Sequence, residues 1–235
     1  MALNKVTDHS NMYQFITDTW NPLAGKCPHK CIYCSTQKFY YPILKEKYSG
    51  EPRLCNEMLT DDLGSNKFIF VVAQNDLFAK NINDKWIIDI LKHCNKFNNK
   101  YFFQSKNPSR FLNDYSDIAL FSLKSVFCTT IETNRKYNIS NFIDIPDVFQ
   151  RAIAMNKISQ FMPTYVTCEP IMDFDMELML QLISDCHPQQ VNLGANTFNK
   201  IKLPEPSKEK ILELISELEK FTKVEQKKNL KRLLK

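Results

Sequence analysis

Thr19-Trp20-Asn21-Pro22-Leu23-Ala24-Gly25-Lys26-Cys27-Pro28-His29-Lys30-Cys31-Ile32-Tyr33-Cys34-Ser35 is the stretch around which the rest of the chain is organised. Its three cysteines stand at C-x3-C-x2-C spacing. Gly25 and Pro28 keep the segment out of regular helix or strand until Cys31. A loop of this kind wraps a small inorganic body and presents several sulfurs to it. Thiolates are soft ligands that select zinc, copper(I) or iron–sulfur clusters. Three of them leave one corner of a four-iron cube without a protein ligand, and an open corner can take a cofactor or substrate.

Outward from this loop, the chain reads as strands alternating with helices. Met12 to Thr17 is apolar enough for a first strand leading into the loop, and Lys38 to Leu59, with Pro42 and Pro52, for a loop-rich excursion with one short helix. The run Phe68 to Val72 is continuously apolar, as in a strand buried on both faces. Further strands are expected at Lys100–Gln104, Ser125–Ile131, Phe161–Cys168 and Gln190–Ala195. Helical spacing marks Asn83–Asn95, Pro146–Asn156, Asp175–Cys186 and a last helix opening at Ser207, with a short helix after Pro108. Strand–helix–strand units of this length imply parallel pairing with right-handed crossovers. A full barrel takes eight units in about 250 residues. The six units here predict an α/β fold, an open, partial (β/α)6 TIM-like barrel with mainly parallel strands.

The chain has 235 residues, 43% of them hydrophobic and 24% charged, enough for a sizeable core and not a disordered composition. No stretch approaches the roughly 18 apolar residues of a membrane span. The N-terminus lacks the apolar region of a signal peptide. A soluble cytoplasmic protein without membrane partners is expected, and the scattered Cys55, Cys94, Cys128, Cys168 and Cys186 are expected as buried thiols rather than a disulfide framework. The net charge of +5 resides in Lys223–Lys235, which has six basic residues and one acid, Glu225. The expected organisation is therefore a barrel over 1–222 and a basic helix end or tail over 223–235. Such a tail either touches nucleic acid or is a solvated helix end whose lysines suit the helix dipole.

In parallel α/β folds ligands bind at the carboxyl ends of the strands. Here those ends carry Gln74, Asn75 and Asp76; Lys106; Thr130 and Glu132; Glu169; and Asn192 and Asn196. Alternation along a strand places Cys128, Thr130 and Glu132 on one face, Tyr165, Thr167 and Glu169 on one face, and Cys168 beneath the helices. The polar mouth that results suits a cofactor with an amino acid head, a ribose and a base.

With its C-x3-C-x2-C loop, the aromatic Tyr33 before the last cysteine and a (β/α)6 pattern behind it, the chain resembles the radical S-adenosylmethionine (radical SAM) superfamily. Thr19-Trp20-Asn21-Pro22, Ile69 to Phe78, Phe103 to Pro108 and Thr167 to Pro170 resemble a phage- and bacteria-associated radical-SAM-like family without an assigned reaction. The resemblance implies that Cys27, Cys31 and Cys34 hold a 4Fe-4S cluster whose fourth iron binds SAM. It implies reductive cleavage of SAM to a 5′-deoxyadenosyl radical that abstracts hydrogen from a substrate. An external electron donor such as flavodoxin or ferredoxin is then required. A Gly-Gly-Glu-like segment normally receives the SAM amino group; here Gln74, Asn75 or Asp76 would substitute. Glu132 or Thr130 would meet the ribose, Lys106 and Arg135 the carboxylate, and Asn192, Asn196 and Glu169 the cofactor or substrate.

Two alternatives stand beside this. One is a nucleic-acid-directed radical SAM modification or repair enzyme, motivated by the basic tail. The other is a non-catalytic zinc-binding interaction module, with His29 completing a Cys3His set. Its spacing is tight for a tetrahedral site, and no second ligand pair lies nearby.

Overall fold

The computed structural model describes residues 3–34, 36, 41–113, 124–137, 145–197 and 201–235. The chain begins with β1 (Asn4–Lys5) and β2 (Asp18–Trp20), followed by β3 (Leu23–Ala24), α1 (Pro42–Lys47) and β4 (Arg53–Leu54). Then come β5 (Phe68–Val71), α2 (Asp84–Cys94), β6 (Lys100–Ser105), β7 (Lys124–Thr130), α3 (Val148–Ser159) and β8 (Thr164–Cys168). The last elements are α4 (Met176–Asp185), β9 (Gln190–Leu193), α5 (Lys208–Leu218) and β10 (Lys223–Gln226). The main sheet runs β1-β2-β5-β6-β7-β8-β9-β10 and does not close on itself. β1 is antiparallel to β2, and every later pairing is parallel. β3 and β4 form a separate antiparallel pair. The expected α/β, open partial barrel is what forms. The short helix expected within Lys38–Leu59 is α1; residues 38–40 of that excursion lie outside the described residues.

Side-chain alternation builds two cores from one sheet. On β6, Tyr101 and Phe103 point toward the helices, while Phe102 points to the concave face. The outer core joins Ile69, Val71, Phe127, Val166 and Val191 to the apolar stripes of the helices. Each such large side chain contributes about 1.5–3 kcal/mol by leaving water. The helices start where their caps allow. Asn83 accepts from the backbone N–H of Lys85, Asp147 and Gln150 form a capping box, and Ser207 accepts from the N–H of Lys210.

The first expected strand is corrected. Met12 to Thr17 is not a strand; pairing begins at Asp18, which lies opposite Ile69. The apolar residues before it fill the concave face. Tyr13 and Phe15 stack at 5.3 Å, and both rings meet Phe102, at 5.2 and 5.3 Å. Aromatic burial against a barrel interior looks, in sequence, much like a short strand.

The C-terminal reading is corrected as well. Lys223–Gln226 is neither a helix end nor a tail but the strand β10, in register with Gln190–Leu193 of β9. Among the described residues the sheet therefore holds seven parallel strands, not six. After β10, a short 3-10 helix at Lys228–Arg232 seats Leu230 fully buried in the outer core. Leu230→Ala should cost about 2–5 kcal/mol in urea unfolding, whereas the same change in a solvated tail would cost nothing.

Candidate functional site

The cysteine loop leaves β3 at Gly25, whose φ of 85° belongs to the left-handed region. A Cβ at this position would lie 2.1 Å from the Glu51 carbonyl oxygen, so only glycine fits. Backbone N–H groups of Gly25 and Lys26 donate to the carbonyls of Lys47 and Gly50. Farther along, His29 is buried and its Nε2 lies 2.8 Å from Asp76 Oδ2. Asn75 Nδ2 donates to the Gly25 carbonyl at 3.0 Å. The segment after β5 thus clamps both the start and the middle of the loop.

That segment reaches its place through a strained turn. Val72 has φ 59°, a conformation that β-branched residues avoid and glycine takes freely. A glycine-poor sequence here adopts a glycine-like backbone, at a cost of about 1–3 kcal/mol offset by the surrounding packing. Asp76 accepts from His29, from the Lys106 backbone N–H at 2.8 Å and from the Phe78 N–H at 2.9 Å, and Ser105 also hydrogen-bonds to it. Burial alone would raise its pKa, but the charge and hydrogen bond of His29 and the Lys106 N–H outweigh burial and hold the carboxyl below its ordinary value.

Cys27, Cys31 and Cys34 line one wall of a cavity of about 430 Å3 at the carboxyl ends of the strands. Among the described residues they form no disulfide, and they are near enough for a charge on one to raise the pKa of another. Burial chiefly pushes Cys27 and Cys31 up, and the Lys106 ammonium pulls Cys31 back down. Thr36 Oγ1 is 2.9 Å from Cys34 Sγ. Among the described residues no group of three His, Cys, Asp or Glu is arranged to hold a metal ion. His29, the fourth ligand of the zinc alternative, is turned to Asp76. Three thiols on one wall without an oxygen ligand among them are the soft donor set that suits an iron–sulfur body.

Of the other expected residues, Gln74, Asn75, Asp76, Lys106, Thr130, Glu169 and Asn196 line the same cavity. Within this group Asn75 and Asp76 also hold the cysteine loop. Three placements differ from expectation. Arg135 lies off the cavity, bound to Asp173 and Asp175, because these acids on the β8–α4 connection stand in its reach. Asn192 is fully buried in β9; its Oδ1 accepts from Gln190 Nε2 at 2.8 Å. Glu132 stands behind the lining, where Lys106 Nζ reaches it at 2.5 Å, Arg151 at 2.9 Å, and the Tyr33 hydroxyl also donates to it. Burial opposes ionisation of Glu132, but Lys106 and Arg151 overcome it and hold its pKa far below the ordinary 4.5. Tyr33 titrates well above its usual range, first through burial and then through Glu132.

The opposite wall holds residues that sequence reasoning missed. Lys227, the first residue after β10, places Nζ 2.5 Å from Glu169 Oε2 and 4.1 Å from the centre of the Tyr13 ring. Glu169 Oε1 accepts from Asn11 and Asn229, both at 2.8 Å. A Cβ on Gly194 would come within 2.8 Å of the Glu169 carboxyl, so this glycine makes room for it. The signal for Lys227 was present in the sequence: Lys223-Val224 after a helix begins one more strand in the strand–helix series.

No family model and no curated sequence matches the chain. Among solved structures, a double mutant of spore photoproduct lyase with bound AdoMet and dinucleoside spore photoproduct aligns over 90% of this chain, with a TM-score of 0.58. The chain shares its fold with spore photoproduct lyase. The likeness is at 14% identity and spans 64% of the lyase chain, so it concerns the fold.

Glu132 offers a direct check on the buried pair network. Glu132→Gln leaves Lys106 and Arg151 buried without their counter-charge and should cost about 3–5 kcal/mol of unfolding free energy at pH 7. Because its folded pKa lies below the unfolded value near 4.5, its contribution is complete above pH 4.5 and is lost as pH falls below it. The stability difference between wild type and variant, followed by urea unfolding from pH 7 to pH 3, should shrink on acidification. A constant difference would contradict the pairing.

Proposed function

We propose that the chain is a radical SAM enzyme in which Cys27, Cys31 and Cys34 hold a 4Fe-4S cluster and the adjoining cavity holds S-adenosylmethionine. The observation that carries this reading is the meeting of three thiols and the polar ends of β5 to β8 in one cavity. The bound group supplies one-electron cleavage of the SAM sulfonium and, through it, hydrogen-atom abstraction from a substrate.

The chain's own residues bind, orient and shield. Asn75 and the His29–Asp76 pair hold the sulfur-bearing loop in one conformation. Lys106 places a positive charge beside Cys31, which favours the thiolate that ligation requires. Gln74 faces the cavity with an amide that donates and accepts. Thr130 is oriented by Gln104 Nε2 at 3.2 Å, leaving its hydroxyl proton for a ligand. Met12, Tyr13 and Phe70 form an apolar floor that keeps water from the reacting atoms. The electron comes from outside the chain, and flavodoxin or ferredoxin is the fitting class of donor.

A nucleic-acid-directed version of this activity draws support from the dinucleoside photoproduct bound by the structural neighbour. Both versions make the same first test. Reconstituted anaerobically with iron and sulfide, the protein should turn brown and, given a reductant, convert SAM to methionine and 5′-deoxyadenosine. Cys31→Ala should lose the colour and the product together. A protein that stays colourless, or a variant that retains its full iron content, would overturn the reading.

A further inference from the structure

A cavity of about 430 Å3 lies near the lower end of the range that holds one drug-sized ligand. With SAM seated in it, as in the reading above on which this rests, a second molecule can insert only a small group. The substrate therefore meets the site at its mouth, and exposed lysines stand on the segments that flank the lining residues. Lys26 and Lys30 are exposed on the cysteine loop, beside Cys27 and Cys31. Lys228 and Lys231 are exposed on the turn that follows Lys227. Lys202 is exposed next to Ile201, whose carbonyl accepts from the cavity residue Asn196. Exposed acids on neighbouring stretches of chain include Asp8, Glu46 and Glu51. Glu205 is already paired with Arg232.

We infer that this lysine rim is a nucleic-acid docking surface that holds the phosphate backbone of a strand while one nucleotide unit reaches into the cavity. Several exposed lysines on segments next to one cavity suit a repeating polyanion, which they bind by releasing its condensed counterions. The strand β10 gives the surface its form. By pairing with β9 it brings the densest basic run of the chain to the cavity wall through Lys227 and Asn229.

The experiment is fluorescence anisotropy of the full chain, without iron or SAM, against labelled single-stranded DNA, single-stranded RNA and duplex DNA. Salt is varied from about 50 to 200 mM. Binding should weaken steeply with salt. Lys228→Glu with Lys231→Glu, and Lys26→Glu with Lys30→Glu, should each weaken it at least tenfold and reduce the salt slope by about one for each phosphate left unneutralised. Lys85→Glu with Lys92→Glu, exposed on α2, should leave it unchanged. Circular dichroism confirms that each variant folds. Absence of binding at the lowest salt, equal losses in the α2 control, or equally tight binding of polyglutamate would overturn the inference. The last outcome would point to an acidic protein partner. Because the measurement uses the cofactor-free chain, its failure leaves the cluster reading standing. A colourless reconstituted chain would not by itself abolish the binding.

Discussion

The Asp76 carboxylate is the point where three parts of the site meet. It lies just beyond β5, receives His29 from the cysteine loop and the Lys106 backbone N–H from the end of β6, and closes its own turn through Phe78. A buried carboxylate with this many donors is stable only while all of them are present. The geometry of the sulfur-bearing loop is therefore coupled to the spacing of two parallel strands. Lys106 carries the coupling onward. Its backbone serves Asp76, while its side chain serves Glu132 and approaches Tyr33 and Cys31. One lysine thus links the ends of β5, β6 and β7 with the loop.

A second polar knot closes the other side. Glu169 gathers Asn11, Lys227 and Asn229, residues separated by almost the whole length of the chain. An open sheet has two edges and no hydrogen bonds to bring them together. Here the N-terminal segment crosses the concave face, with Tyr13 and Phe15 as ballast, and meets the C-terminal turn at this carboxylate. The cavity is bounded by the cysteine loop on one side and this knot on the other. The basic run at the chain's end is consequently part of the wall rather than an appendage.

Much of this was legible in the residues. Continuous apolar runs at Phe68–Val71 and the helical stripes of α2, α4 and α5 located the elements to within a few residues, because burial on one or two faces leaves a periodic mark. The three cysteines and most of the polar strand-end residues also came together as expected. Met12–Thr17 misled because an aromatic plug and a buried strand share a composition. Lys223–Gln226 was obscured by its charges, since an edge strand buries little and tolerates lysine. Arg135 failed for a different reason: a long cation goes to whichever carboxylates tertiary packing places nearest, and those are Asp173 and Asp175.

The sequence by itself determined the fold class, the soft-ligand loop and the rim on which function would sit. Each of these depends on local chemistry: side-chain period, cysteine spacing and the direction of parallel strands. Only the tertiary structure decided which polar groups face the cavity and which are consumed in holding it. Asn75 and Asp76 became supports, Glu132 withdrew behind Lys106 and Tyr33, and Lys227 entered from a run that looked like a tail. Those outcomes follow from pairing among residues distant in sequence, where the partner that satisfies a buried charge is set by the packed geometry and leaves no periodic trace in the chain.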